Sequence, residues 1–114
     1  MEEIRRQRRI PLSAEAKVIK LSSGDRYEAE LVNISNYGAR LKTTALLKTN
    51  ERIKASMTLN KQDQVVYSEE VPGTVRYVER TMKFYSAGIQ FNTKINDTGF
   101  PIFNQYLEYL KTRE

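Results

Sequence analysis

The feature that most constrains the fold is an alternation of apolar and polar residues with a period of two. It is cleanest over residues 53–59, which read IKASMTL. Successive side chains of a β-strand point to opposite faces, so this period is typical of a strand with one buried face. The same pattern predicts six strands: residues 12–21, 27–35, a short strand from residue 39, then 53–59, a long fifth strand made of residues 65–67 and 71–78, and 84–91.

The last part of the chain follows a different period. Phe103, Tyr106, Leu107 and Leu110 are spaced as i, i+3, i+4 and i+7, which predicts an amphipathic helix. The residues 96–98, which read NDT, offer N-caps for this helix, and Pro101 stands where a first-turn proline is tolerated. Within the fifth predicted strand, Pro72-Gly73 predicts a bulge or bend.

Six short strands followed by one helix, without β-α-β alternation, predict a mainly β fold. For a chain of 114 residues we expect one domain, and a six-stranded antiparallel β-barrel is favoured because closure removes exposed strand edges. Residues 1–11 lack the alternation, and we interpret them as a flexible basic arm. Residues 12–114 then form the barrel, with the helix at about 100–112.

Composition excludes several classes of function. The chain has no cysteine and no histidine, which excludes disulfides, thiolate nucleophiles, zinc sites built on these residues and imidazole bases. No phosphate-loop signature is present, so we predict no enzyme, no catalytic residue, no metal and no cofactor. No apolar run reaches the ~20 residues of a membrane span, and no signal peptide is evident, so we expect a cytoplasmic protein without membrane insertion.

The charge of the chain points to an anionic partner. Its 19 Lys and Arg residues against 14 Asp and Glu give a net charge of +5, although such an excess also serves solubility. Four arginines stand close together in the basic arm, at Arg5, Arg6, Arg8 and Arg9. A guanidinium binds phosphate or a guanine edge with two hydrogen bonds, which lysine does not. The spacing of Arg5 and Arg9 gives an R-x-x-x-R motif.

A second motif lies at the turn between the second and third predicted strands. Asn33, Ser35 and Gly38 have the form [Asp/Asn]-x-Ser-x-x-Gly. Such residues also serve ordinary turns: Asn33 and Ser35 would bond local backbone, and Gly38 would supply a positive φ. Each motif alone is a weak signal.

Taken together in this order, the two motifs closely resemble those of the PilZ domain family, receptors for the bacterial second messenger cyclic di-GMP. The resemblance covers essentially the whole chain, including the late strand segments VRYV at 75–78 and AGIQF at 87–91. It implies a stand-alone PilZ domain, since nothing resembles the extra N-terminal domain that many flagellar-brake members carry.

The resemblance implies that Arg5, Arg9, Asn33, Ser35 and Gly38 bind cyclic di-GMP. The arginines between the first pair, Arg6 and Arg8, either add phosphate contacts or face solvent. Asn33 stands where aspartate is commoner, and we expect the loss of that carboxylate to weaken the contact to guanine. Ile4, an apolar residue directly before Arg5, favours the binding of one nucleotide rather than a stacked pair. The ligand would order the arm and so present a surface to a downstream partner protein, in motility or biofilm regulation.

Two alternatives stay open. The first is a PilZ-fold interaction module that does not bind nucleotide. The second, ranked lower, is a basic β-barrel for single-stranded nucleic acid, with strand tyrosines as stacking platforms. The candidate tyrosines are Tyr27, Tyr37, Tyr67, Tyr77 and Tyr85. A strand tyrosine is more often a half-buried packing residue.

Overall fold

The computed structural model describes residues 10–61 and 64–112. These residues form strands and one helix, in the order β1 (Ile10–Lys20), β2 (Arg26–Ile34), β3 (Gly38–Thr43), β4 (Arg52–Lys61), β5 (Gln64–Tyr67), β6 (Val71–Arg80), β7 (Tyr85–Phe91) and α1 (Pro101–Thr112). Because β1 begins at Ile10, the last two residues of the basic arm, Ile10 and Pro11, belong to the first strand. Residues 1–9 lie outside the described part of the chain.

The strands close into a ring. Their order is β1-β2-β3-β7-β6-β4, and β1 also pairs with β4, with every pairing antiparallel. The short strand β5 pairs with β4 only and extends that strand as a hairpin outside the ring. The predicted fold class, a closed six-stranded antiparallel barrel with one C-terminal helix, is therefore confirmed.

The prediction that residues 65–67 and 71–78 form one long strand is wrong: they belong to two strands, β5 and β6, with a break at residues 68–70. Ser68 causes the break. Its hydroxyl accepts the Met57 amide at 2.8 Å and donates to the Glu69 carbonyl at 3.0 Å. Its own amide donates to the Met57 carbonyl at 2.9 Å. These bonds end the hairpin and turn the chain toward the helix.

The bulge predicted at Pro72-Gly73 is also wrong. Both residues lie in regular pairing with β4. On the other side, the Pro72 carbonyl accepts the Asn92 amide at 2.9 Å, and Gly73 lets β7 approach closely. A Cβ on Gly73 would lie 2.7 Å from Cγ2 of Ile89. The irregularity of β6 lies instead between Val75 and Tyr77.

The predicted helix is confirmed, and it packs on the barrel. Phe103 and Leu107 are buried, Leu110 is nearly so, and Tyr106 is partly buried against the same core. The Phe103 ring meets the ring of Phe91 edge to face, with centroids 6.0 Å apart. Burial of this apolar stripe against the inward side chains of the strands supplies the main force that holds α1 on the barrel.

The N-terminus of α1 is capped from elsewhere in the chain. Asn96 accepts the amides of Thr98 and Gly99, ahead of the helix. The first-turn amides of Ile102 and Phe103 donate to the Glu69 carboxylate at 2.8 and 3.0 Å. Burial acts to raise the pKa of Glu69, but these amide hydrogen bonds outweigh it, and the pKa lies below its ordinary value. The cap is therefore a carboxylate 33 residues upstream of Ile102, which local sequence reasoning missed.

Candidate functional site

The outer faces of β3, β7 and β6 form one continuous surface, because these strands are neighbours in the barrel. Gly38 on β3 lies opposite Gln90 on β7. In the next outward row, Arg40 lies opposite Gly88, which in turn lies opposite Tyr77 on β6. Two glycines and two long polar side chains are thus placed beside an aromatic ring on the outside of the barrel.

A groove of about 280 Å³ runs over this surface. Its lining brings together the β2–β3 turn, the start of β3 and parts of β6 and β7: Ser35, Tyr37, Gly38, Arg76, Tyr77, Gly88, Ile89, Gln90 and Phe91. A Cβ on Gly88 would collide with the ring of Tyr77, so this glycine allows the ring to lie flat against the strand. The groove therefore has a glycine floor with aromatic rings beside it.

Ser35 holds the turn at the edge of the groove. Its hydroxyl oxygen accepts the amides of Tyr37 at 3.1 Å and Gly38 at 3.2 Å, and its own amide donates to the Gly38 carbonyl at 2.8 Å. Ser35 is buried and Gly38 has no positive φ, since among the described glycines only Gly24 has one. Ser35 therefore stabilises the turn through local backbone bonds, as predicted. The glycine at position 38 is not needed to supply a positive φ.

The remaining predicted site residues are divided between two places. Asn33 is half-buried on β2, where it pairs with Pro11 of β1 and Arg40 of β3, and it lies outside the groove lining formed by the described residues. Arg5, Arg6, Arg8 and Arg9 lie outside the described residues. Arg9 is bonded to Ile10, whose cross-strand partner is Ile34, the residue before Ser35. The basic arm therefore joins the barrel beside the motif turn.

Cations surround the aromatic rings of the groove. The Arg40 guanidinium donates to Ser86 at 2.8 Å and to Glu79 at 3.1 Å, and its central carbon lies 6.0 Å from the centroid of the Tyr77 ring. The Lys94 ammonium lies 5.6 Å from the centroid of the Tyr37 ring. Such cation–π contacts fix ring orientation and leave the groove in a positive environment.

Sequence reasoning missed Arg76, Gln90 and the shared position of Tyr37 and Tyr77. The two tyrosines were candidates only as members of a dispersed set of five. A possible signal was the alternation within β6 and β7, which separates outward from inward residues. It is insufficient alone, because the pairing of β3 with β7 joins segments about 50 residues apart in the chain.

The motif turn is also bonded to the C-terminal helix. Asn36, between Ser35 and Tyr37, donates from its side-chain amide to the Ile95 carbonyl at 2.7 Å. Its side-chain oxygen accepts the Lys111 ammonium at 2.6 Å, and its backbone carbonyl accepts the Ile95 amide at 2.8 Å. Lys111 lies in the last turn of α1. A displacement of the turn would therefore move the hydrogen-bond acceptor of Lys111 in the last turn of α1.

The groove is chemically suited to a flat, anionic molecule. Tyrosine rings present π faces, the glycines allow close approach to backbone, and guanidinium and ammonium groups favour negative charge. In the part of the chain that the structure describes, no helix is long and apolar enough to cross a membrane.

Comparison with known proteins agrees with this arrangement. A search of curated proteins finds no match. Among solved structures, the chain is similar to the Bacillus subtilis inhibitor of motility, MotI/DgrA, with a TM-score of 0.69 and 12% identity. The match covers 92% of this chain and 48% of that one, so this chain spans about half the neighbour's length. At this identity the likeness concerns the fold alone. The sequence model of the PilZ domain matches residues 3–109, nearly the whole chain, and the protein therefore belongs to the PilZ domain family.

Proposed function

We propose that this PilZ domain binds cyclic di-GMP in the groove over β3, β7 and β6 and relays binding to a partner protein. The family is one of cyclic di-GMP receptors. The observation that carries the proposal is a convergence: Ser35 and Gly38 line a groove at the point where the arginine-bearing arm joins the barrel. The strand that follows the arginine motif thus begins beside the turn that carries the second motif.

The arm is long enough to bring its arginines over the groove. Arg5 stands five residue steps before Ile10, and an extended chain spans about 3.3–3.6 Å per residue, so Arg5 has a reach of roughly 17 Å. Arg9 precedes Ile10 directly. Arginine forks at these positions can bond the O6 and N7 acceptors of guanine or the phosphates of the ligand.

Each feature of the groove has a role in this proposal. A guanine ring stacks on the tyrosines beside Gly38, and Gly88 lets the Tyr77 ring lie flat enough to serve as a stacking surface. Ser35 keeps the turn in shape, so backbone groups face the ligand in a fixed geometry. Asn33, at the junction of the arm and the turn, offers an amide oxygen to the N–H donors of guanine.

The hydrogen bonds of Asn36 offer a route from the ligand to a partner. They tie the motif turn to Ile95 and to Lys111 of α1. The outward face of α1 is polar and exposed at Gln105 and Glu108. We propose that ligand binding at the turn alters the last turn of α1 and orders the arm, and that a cytoplasmic partner reads both changes. Regulation of motility or biofilm formation is the process we favour.

Calorimetric titration tests the binding proposal. Cyclic di-GMP should bind with measurable heat, whereas GMP and a single-stranded oligonucleotide should bind far more weakly. Absence of binding to cyclic di-GMP would leave the interaction-module alternative. Tighter binding of the oligonucleotide would favour the nucleic-acid alternative. The tyrosines are poorly placed for it, since among the described residues three of the five candidates, Tyr27, Tyr67 and Tyr85, lie outside the groove lining.

Hydrogen exchange tests the relay. Ligand should change the exchange of amides in residues 1–9 and in the last turn of α1. In Lys111→Met, which loses the bond to Asn36 but leaves Asn36 bonded to Ile95, the change in α1 should largely disappear while the change in the arm persists. An unchanged response of α1 in this variant would show that the Asn36–Lys111 contact carries no signal.

A further inference from the structure

Arg76 differs in its bonding from Arg40, the charged side chain that lies beside Tyr77. It is exposed on β6 and lines the groove, yet its guanidinium has no hydrogen bond or ion pair among the described residues. Arg40, by contrast, is held by Ser86, Glu79 and the face of Tyr77. The five N–H donors of Arg76 are therefore available to a molecule in the groove.

The backbone accounts for the direction of Arg76. Residues of a regular strand alternate between faces, so Arg76 and Tyr77 would normally point to opposite sides. The pairing of β6 with β7 shifts register between Val75 and Tyr77, and both Arg76 and Tyr77 are exposed. A β-bulge produces this arrangement, since it places two residues opposite one and re-aims a side chain. Here it leaves both side chains exposed, and Arg76 joins Tyr77 in the groove lining.

We infer that Arg76 is a ligand-binding residue of the groove that contacts a phosphate of the bound nucleotide. This inference rests on the proposed function. Arg76 belongs to neither sequence motif, and it approaches the ligand from β6, whereas Ser35 and Gly38 approach it from the β2–β3 turn. A phosphate carries the charge that an unpaired guanidinium attracts and matches its fork of donors.

A second consequence concerns folding. Because Arg76 has no partner among the described residues, its replacement should leave the thermal midpoint almost unchanged. Arg80 provides a matched control: it lies on the same strand, is exposed, has no hydrogen bond or ion pair among the described residues, and is absent from the groove lining. Arg76→Gln and Arg80→Gln remove the same charge from the same strand.

The experiment is calorimetric titration of cyclic di-GMP into the wild type and these variants at two ionic strengths. Arg76→Gln should weaken binding about tenfold or more, with a shallower loss of affinity on adding salt. Arg80→Gln should bind like the wild type, and Arg76→Lys should recover part of the loss because it restores the positive charge.

If the wild type binds cyclic di-GMP, two results would overturn the inference about Arg76. One is Arg76→Gln binding within about twofold of the wild type, a difference below ~0.5 kcal/mol. The other is an equal loss in Arg80→Gln, which would assign the effect to net charge. A wild type that does not bind cyclic di-GMP would instead overturn the proposed function itself, so the two failures are distinct.

Discussion

Glu69 shows how one side chain joins two distant parts of the chain. Its carboxylate accepts the Ile102 and Phe103 amides at the start of α1. We expect Glu69→Gln to lower the free energy of unfolding by about 1 kcal/mol at neutral pH, since it removes a charge-assisted cap. Glu70→Gln is the control, because Glu70 is exposed and has no hydrogen bond among the described residues.

The pH dependence of this effect has a definite sign. The folded-state pKa of Glu69 lies below its unfolded value, so its contribution is fully present above an ordinary glutamate pKa of about 4.3. It is lost as the pH falls through the folded-state pKa. Denaturant unfolding of wild type and Glu69→Gln should therefore converge in acid. A difference that stays constant down to acid pH would show that the carboxylate charge is not what stabilises the helix.

Gly88 and Gly73 have different roles: Gly88 shapes the groove, whereas Gly73 allows the core strands to pack. A Cβ on Gly88 would meet the exposed ring of Tyr77, which can rotate away, whereas one on Gly73 would meet the buried Ile89 and the backbone of Gln90. We expect Gly88→Ala to keep nearly full stability but weaken cyclic di-GMP binding. Gly73→Ala should lose about 1–3 kcal/mol of stability. Thermal unfolding and calorimetry on both variants check this, and a reversed pattern would contradict it.

At the scale of elements, α1 is held to the barrel by its apolar stripe. Phe103 is 1% exposed and packs against Phe91. We expect Phe103→Ala to lower the free energy of unfolding by about 3–5 kcal/mol. Gln105→Ala, on the exposed face of the same helix, should change it little. A denaturation midpoint that is unmoved by Phe103→Ala would mean that the helix does not depend on this contact.

The elements were predictable where their signal is local. Alternation in β4 and the 3.6-residue period of α1 report burial on one face, and both elements form as expected. The break between β5 and β6 was missed because it depends on Ser68 bonding to Met57 across the hairpin. The cap at Glu69 was missed for the same reason: its partners are distant in sequence, and no local pattern encodes them.

At the scale of the whole molecule, the motifs anticipated part of the groove. Ser35 and Gly38 were named from sequence and line it. Arg76 and Gln90 join them only because β3 pairs with β7 and β7 with β6, and because a bulge turns Arg76 outward. That juxtaposition depends on the order of the strands in the barrel, whereas periodicity predicts only the fold class.

The basic arm should contribute to binding and little to stability. We expect Arg5→Ala and Arg9→Ala each to abolish measurable cyclic di-GMP binding in calorimetry, because a bidentate guanine contact contributes roughly 1–3 kcal/mol. Their thermal midpoints should remain close to that of the wild type, since the apolar core among the described residues is built without them. Binding like that of the wild type in both variants would show that the arm does not hold the ligand.

The most direct test of the central claim is amide chemical-shift mapping of the isotope-labelled protein during titration with cyclic di-GMP. The proposed site predicts the largest changes at Tyr37, Gly38, Gly88 and Gln90, which line one groove. Amides in the second half of β1, residues 16–20, which pair with β4 across the barrel from β7, should change little. Changes centred on β1 and β4, or none at saturating ligand, would contradict the assignment of this groove as the cyclic di-GMP site.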